Sequence, residues 1–256
     1  MSIDRLDPRS PSRQIADDLR TAIESGEIPA GGKLPSEREL VEKYGIAPQT
    51  ARQAVALLKT EGLVDGQPGR GVFVRERPPM IRIGSDRYSR SRRDKGLAPF
   101  QAEAEERGLT WSQEVLELAE VPAPAWVAEW FSIDAGTTVF VRRRRTWLDG
   151  KPTQLADSYY ELATVEGTRI REEDTGPGGG YARLEEKGLH LARFREEIAL
   201  RMPSPDEARS LKLSPGVPVA ELHRIAFVEV RRPIEVFRSV MAGDMHVFAY
   251  EFEAAE

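Results

Sequence analysis

Residues 34–74 read LPSERELVEKYGIAPQTARQAVALLKTEGLVDGQPGRGVFV, and this stretch decides the first domain. Ser36 can cap a helix whose third residue, Glu39, is placed to bond back to the cap, the reciprocal arrangement of a capping box. That helix should run to about Tyr44, where Gly45 supplies the left-handed residue that ends it. Ala47 or Pro48 opens the next, since the missing proline N–H costs nothing in a first turn. Ala51, Ala54, Val55 and Leu58 form its apolar face, and the pattern stops near Gly62. Leu63-Val64 and Gly71–Val74 then read as two strands around a glycine-rich loop at 65–70. Two helices joined by a tight turn, followed at once by a hairpin, are the order of a winged helix-turn-helix.

Outward from this core, Ile15, Leu19, Ala22 and Ile23 recur at helical spacing and predict a preceding helix, capped by Ser12 and stopped by Gly26. Residues 28–32 read as a turn. The DNA-binding domain is therefore expected over 1–76. Residues 77–97 are rich in arginine, serine and proline, crowd Arg87, Arg90, Arg92, Arg93 and Lys95 together, and lack periodicity. They read as a linker, either a solvated connector or an additional contact to DNA.

From 98 to 256 the texture becomes helices alternating with longer strands. Residues 102–108, 125–131, 181–187 and 205–211 read as helices. Residues 115–121, 139–148, 153–161, 198–202, 217–230, 234–241 and 246–252 read as extended. Asp149-Gly150 between two extended runs is the strongest hairpin signal in the chain. Strands joined by hairpins imply an α+β domain with an antiparallel sheet and flanking helices.

Composition narrows the function classes. The 256 residues include no cysteine and three histidines, His190, His223 and His246, so disulfides, thiolate chemistry and a metal or other cofactor are not expected. Glu196 and Glu197 are neighbours and not a pair across a cleft, so catalysis is not expected either. No apolar run of about 18 residues exists to span a bilayer, and residues 1–12 are charged, unlike a secretory signal. A cytoplasmic, nucleoid-associated protein with no membrane partner follows as the expectation. The net charge of −5 hides an asymmetry: residues 1–97 carry 18 Lys and Arg against 14 Asp and Glu, and the remainder 19 against 28. Phosphate contact needs local cations, which the first part has.

Leu34–Leu40, then Thr50-Ala51-Arg52-Gln53-Ala54, then the wing Gly69-Arg70-Gly71-Val72-Phe73-Val74 resemble the GntR family of bacterial regulators. Arg144, Asp149-Gly150-Lys151-Pro152, Ser158-Tyr159, Tyr181 and Pro233-Ile234-Glu235 resemble the UTRA effector-binding domain of the HutC subfamily, a fold like that of chorismate lyase. The resemblance implies a homodimer on double-stranded operator DNA of two-fold symmetry, with an affinity that a small molecule alters.

On the DNA side, the second helix of the turn pair enters the major groove, which points to Gln49, Thr50 and Arg52 as base-facing residues, with Arg38 on the preceding helix. An arginine can bond guanine O6 and N7 together. Gly69, Arg70 and Gly71 at the wing tip offer close approach and one guanidinium to the minor groove or a phosphate. Pro48 stands where many relatives have arginine, so the operator sequence is not inherited.

On the effector side, Arg142, Arg143, Arg144 and Arg145 lie in a strand, where alternate residues share a face. Similarity to the UTRA motif selects Arg144, with Arg142 on the same face. An arginine fork suits the phosphate of a sugar phosphate or the carboxylate of an organic acid. The same row also reads as cations answering the acidic balance of this domain. The resemblance further places ligand contacts at Gly179 and Tyr181, after a glycine run that otherwise reads as a turn, and at Glu235 in the Pro-x-Glu strand. Thr146 replaces a second arginine and Met241 a tyrosine, which implies a different pocket wall. Two functions follow: a ligand-responsive repressor, or a constitutive DNA-binding protein whose second domain only dimerises.

Overall fold

The computed structural model describes residues 3, 4, 6–75, 80–83, 98–228 and 232–251. It divides into two compact units, Met1–Pro79 with Leu213–Val217, and Met80–Lys212 with Pro218–Glu256.

In the first unit, α1 spans Pro11–Glu24, α2 Glu37–Tyr44 and α3 Pro48–Thr60, followed by β1 at Val64–Gln67 and β2 at Gly71–Val74. The capping box forms: the Ser36 hydroxyl accepts from the Glu39 N–H, and the Glu39 carboxylate accepts from the Ser36 N–H at 2.7 Å. Gly45 ends α2 at φ 63°. One correction concerns α1, whose N-cap position is Ser10 and not Ser12, with no capping hydrogen bond from its side chain, because Pro11 occupies the first helical position and Ser12 is buried in the first turn. The strands pair antiparallel with Val64 opposite Val74. The turn expected at 28–32 forms, closed by the Gly32 N–H donating to the Pro29 carbonyl at 2.8 Å, and the chain then runs along β2, with Leu34 N–H donating to the Val72 carbonyl and Val74 N–H to the Gly32 carbonyl, both at 2.8 Å. Ile15, Leu19, Leu34, Leu40, Leu58 and Val64 close the core. Each such side chain contributes about 1.5–3 kcal/mol on burial.

The second unit is built on a six-stranded sheet of order β4-β5-β6-β9-β8-β7, antiparallel throughout. Its strands are β4 Trp111–Pro122, β5 Thr138–Leu148, β6 Lys151–Glu161, β7 Arg193–Arg201, β8 Val219–Phe227 and β9 Pro233–Ala242. The helices are α4 Pro99–Glu105, α5 Ala125–Phe131, α6 Leu162–Val165, α7 Gly179–Glu186 and α8 Pro205–Ser210, with a 3-10 turn at Arg169–Arg171. The β5–β6 hairpin turns on Asp149 at φ 46° and Gly150 at φ 73°, the two left-handed residues that such a tight connection needs. α6 and the 3-10 turn escaped the sequence reading because four and three residues complete no hydrophobic period.

Within the stretch read as linker, Met80–Ile83 (β3) pairs in parallel with His246–Ala249 (β10). The five clustered cations of that stretch, Arg87 to Lys95, lie outside the described residues.

Alternation along β5 sorts the two faces of the sheet. Val139 and Val141 pack with Val127, Ala128 and Phe131 of α5. Phe140 points the other way, into a core with Tyr160, Ile170, Tyr181, Leu184 and Ile234 beneath α7. Arg142 and Arg144 share the face of Phe140.

Candidate functional site

The DNA-reading candidates lie on the surface of the first unit. Because Ala51, Ala54, Val55 and Leu58 fill the core side of α3, Gln49 and Arg52 are exposed and Thr50 half-buried. Arg52 donates from Nε to the Glu37 carboxylate at 2.9 Å, which ties α3 to the capped start of α2. Arg38, beside Glu37, pairs with Glu42 one turn on at 2.9 Å. Exposed pairs of this kind contribute about 0–1 kcal/mol, so a base edge or phosphate can compete for either guanidinium. At the wing, Arg70 N–H donates to the Gln67 carbonyl at 3.0 Å, and the exposed Arg70 guanidinium stands 5.5 Å from the Phe73 ring centroid. Gly69 and Gly71 have φ 72° and 122°. A Cβ on Gly71 would also fall 2.8 Å from Cε of Lys33. Lys33 was not singled out from sequence, because its place beside the wing arises from its strand-like bridge to Phe73.

The effector candidates converge. Arg142, Arg144, Gly179, Tyr181 and Glu235 all line one cavity of about 620 Å³ in the second unit, within the usual range for small-molecule sites. Their roles differ.

Arg142 is 3 % exposed, and its guanidinium donates to the backbone carbonyls of Ile170 at 3.3 Å, of Glu172, and of Glu173 at 2.7 Å. It fastens the loop that leads to the cavity rim. Burial, then the neighbouring Arg144 charge, pushes it down to about 10, which still leaves it protonated at neutral pH.

Arg144 is less committed. One terminal nitrogen donates to the Ser158 hydroxyl, and the guanidinium lies 6.0 Å from the Phe237 ring centroid. Its Nε is buried and has no hydrogen-bond partner among the described residues.

Glu235 is the hub of a buried cluster. Tyr160 donates to Oε1 at 2.8 Å, Tyr181 to Oε2 at 2.6 Å, and Arg224 Nη2 to Oε2 at 3.1 Å. Burial pushes this carboxyl up, but Arg224, the Tyr181 hydroxyl and Arg144 outweigh it and hold Glu235 below the ordinary carboxylate value. Arg224 is in turn 4.1 Å from the Phe237 ring centroid and 5.4 Å from that of Tyr181. Sequence reading missed Tyr160, Ser158 and Arg224 as cluster members. Only Ser158 carried a signal, within the UTRA-like motif.

Gly178 and Gly179, at φ 77° and 69°, turn the chain into α7, whose cap position offers no side-chain acceptor to the first-turn amides. Gly179, Gly180 and Tyr181 line the cavity there, at the positive end of the helix. Gly176 is favoured by its φ of 76°, while a Cβ there would meet only the terminal guanidinium nitrogens of Arg169 and Arg183, at 2.6 and 2.8 Å, which can swing aside. Away from this end the lining is aromatic and amide-bearing, with Phe100, Gln101, Trp111, Gln113, Thr146 and Gln154. Met241 is not part of the wall: it is fully buried with Ala156, Leu222 and Phe237. The expectation that it alters the pocket chemistry is corrected accordingly. The arrangement can hold an anionic head against Arg144 and the amides of α7, and a neutral polar body against the amide end.

Comparison with known proteins agrees with both halves. The UTRA domain model matches residues 106–247, and the model of bacterial regulatory proteins of the gntR family matches 11–74. The Streptomyces coelicolor HTH-type transcriptional regulator SCO4628 is 34% identical over 256 residues, covering 97% of this chain and 95% of the relative. The Bacillus subtilis HTH-type transcriptional repressor NagR is 26% identical, covering 98% of each. A crystal structure of a GntR-family transcriptional regulator superposes with a TM-score of 0.65 at 27% identity, over 96% of this chain and 99% of that one. PhnF of Mycobacterium smegmatis, at 22% identity and a TM-score of 0.60 over 94% of this chain, shares the fold.

Proposed function

Because the chain belongs to the GntR family of bacterial regulators and joins a DNA-binding domain to a UTRA domain, we propose that it is a homodimeric repressor. It holds a two-fold operator and changes its grip when a small anion, a sugar phosphate or an organic acid, fills the cavity of the second unit. The observation that carries the effector half is Arg144, a cavity-lining guanidinium whose buried Nε lacks a partner among the described residues, in the same lining as the first residues of α7. An unmet buried donor is costly until something accepts from it. Gln49, Thr50, Arg38 and Arg52 read the major groove in this account, and Gly69, Arg70 and Gly71 hold the wing to the duplex.

Fluorescence anisotropy on the promoter region of its own gene, across a salt range, tests the DNA half. Thermal melts against a panel of sugar phosphates and organic acids test the effector half, since a ligand at 100 times its dissociation constant stabilises by about 2.7 kcal/mol. The expected result is a melting shift that disappears in Arg144→Gln and a matching change in operator affinity. A panel that shifts nothing favours the constitutive reading, in which the second unit only dimerises. That reading is motivated by Thr146 in the cavity wall in place of a second arginine. Conversion of the bound compound by purified protein would instead make the chain an enzyme and refute both.

A further inference from the structure

The floor of the cavity changes character along the strands. Register sets Gln113 of β4 opposite Thr146 of β5, and Thr146 opposite Gln154 of β6, and all three line the cavity. Two residues along β5 stands Arg144, between Val115 and Ala156, and two further on stands Arg142, between Leu118 and Ser158. The charged lining begins only at Arg144. Arg224 shares the row of Arg142 through Ser158 and Phe237, Glu235 lies beyond it on β9, and Glu173 and Asp174 belong to the loop that Arg142 fastens. On the other side of the Gln113–Thr146–Gln154 row the face turns apolar, where Trp111 and Phe100 pack with the buried Leu148. Thr146 is 1% exposed and Gln154 7%, yet no side-chain hydrogen bond joins Gln113, Thr146 or Gln154 to another of the described residues. Two residues of strand separate this neutral row from Arg144 by about 7 Å, and the Arg144 guanidinium reaches away from it, toward Ser158.

We propose that Gln113, Thr146 and Gln154 form a selectivity subsite for the far end of the effector, so that the molecule this cavity takes is charged at one end only and carries hydroxyls or a carboxamide at the other. The inference rests on the anionic-effector reading above and names the half of the ligand that Arg144 does not select. Two costs do the selecting. A second charge at this end would leave water for a corner lined by Thr146, Gln154 and the Trp111–Leu148 cluster, with no counter-charge in its row, and an unpaired charge in such surroundings is strongly disfavoured. An apolar end would keep water from the buried Gln154 amide and Thr146 hydroxyl without giving them a partner, which is costly as well. A hydroxyl or a carboxamide avoids both costs, because it donates and accepts, as each of the three side chains does. Thr146 in place of a second arginine is on this account a change of specificity: the arginine would have supplied the counter-charge for a second anion, and the threonine withdraws it.

Pairs of compounds that keep one anion and differ at the far end decide the matter on the full-length protein, by thermal melts and titration calorimetry. 6-Phosphogluconate adds a carboxylate to the far end of glucose 6-phosphate, glucosamine 6-phosphate puts an ammonium where N-acetylglucosamine 6-phosphate has a carboxamide, and succinate has a second carboxylate where succinamate has an amide. In every pair that shifts the melting temperature, the neutral-ended member is expected to bind about tenfold tighter or more. Gln154→Leu keeps the volume and removes the amide. It is expected to weaken the neutral-ended member by about tenfold with no fall in the melting temperature of the free protein, while inorganic phosphate, which fills only the head position, binds variant and wild type alike. Gln113→Lys, at an exposed position, is expected to turn the preference toward 6-phosphogluconate or succinate. Doubly charged members that bind as tightly as their neutral-ended partners, or a Gln154→Leu chain that binds the neutral-ended member as wild type does, overturn the subsite while leaving the anionic-effector reading in place. A wild type that none of these compounds shifts overturns both.

Discussion

Arg52 on α3 has a side chain 59% exposed and meets one exposed carboxylate, whereas Arg224 on β8 is 8% exposed and lies between two aromatic rings with its charge on Glu235. Both belong to candidate sites, yet their environments make them different kinds of residue. In water a guanidinium loses little when its partner is taken away, because solvent replaces the interaction. In the buried cluster nothing replaces it. The candidate DNA-reading surface can therefore change without disturbing its fold, while the candidate effector site and the packing of the second unit are one structure.

Several changes would break or sharpen that contrast. The largest effect is expected at Glu235→Ala, which removes the buried carboxylate that accepts from Arg224, Tyr160 and Tyr181. A loss of about 3–5 kcal/mol is expected in denaturant unfolding. A loss under about 1 kcal/mol would mean that the cluster is not closed as described. Acid probes the same carboxylate without a mutation. Its folded value lies below the ordinary 4.5, so its contribution is complete above that value and is lost as pH falls through the folded one. Melting temperature should accordingly drop more steeply below about pH 4.5 in wild type than in Glu235→Gln, a comparison that calorimetry between pH 7 and pH 3 resolves.

Arg52→Ala should separate binding from stability. Operator affinity is expected to fall by about 1–3 kcal/mol, while the melting temperature barely moves, given the exposure of the Arg52–Glu37 pair. Equal binding by wild type and variant across salt would remove Arg52 from the reading helix. Ser36→Ala should show that the first unit does have a stability-determining polar group. Loss of the reciprocal cap is expected to cost about 1 kcal/mol of its unfolding free energy, measured on the thermal transition of that unit. The smallest effect on stability is expected from Arg38→Ala, which in the free protein removes a helix-surface pair with Glu42 and should shift stability by about 0.5 kcal/mol or less in the same melt.

The first unit was legible nearly to the residue because its instructions are local. A cap and its partner three positions on, a glycine after the last turn and a proline at the next first turn act within one helical turn of each other. Its N-terminal boundary error, Ser12 for Ser10, lies two residues off and comes from Pro11, which takes the first helical position and so moves the cap position back to Ser10. In the second unit the hairpin at Asp149-Gly150 was legible for the same reason. The five effector candidates share one cavity lining, but the different bonding of each was not legible. Strand alternation puts Arg142 and Arg144 on one face and says nothing about which of them a loop 30 residues away will claim.

What the sequence determined by itself was the order of the longer elements, the winged head, the hairpin and the face of the sheet that carries the arginines. These follow from backbone geometry and from chemistry between near neighbours. The tertiary structure alone decided that Glu235 would be held by residues 75, 54 and 11 positions away. It also decided that Met241 would sit in the core and that β4 and β7 would be the two edges of the sheet. A buried charge takes its partners from whatever packing brings within hydrogen-bond reach, and a strand becomes an edge only through the pairing of all the others.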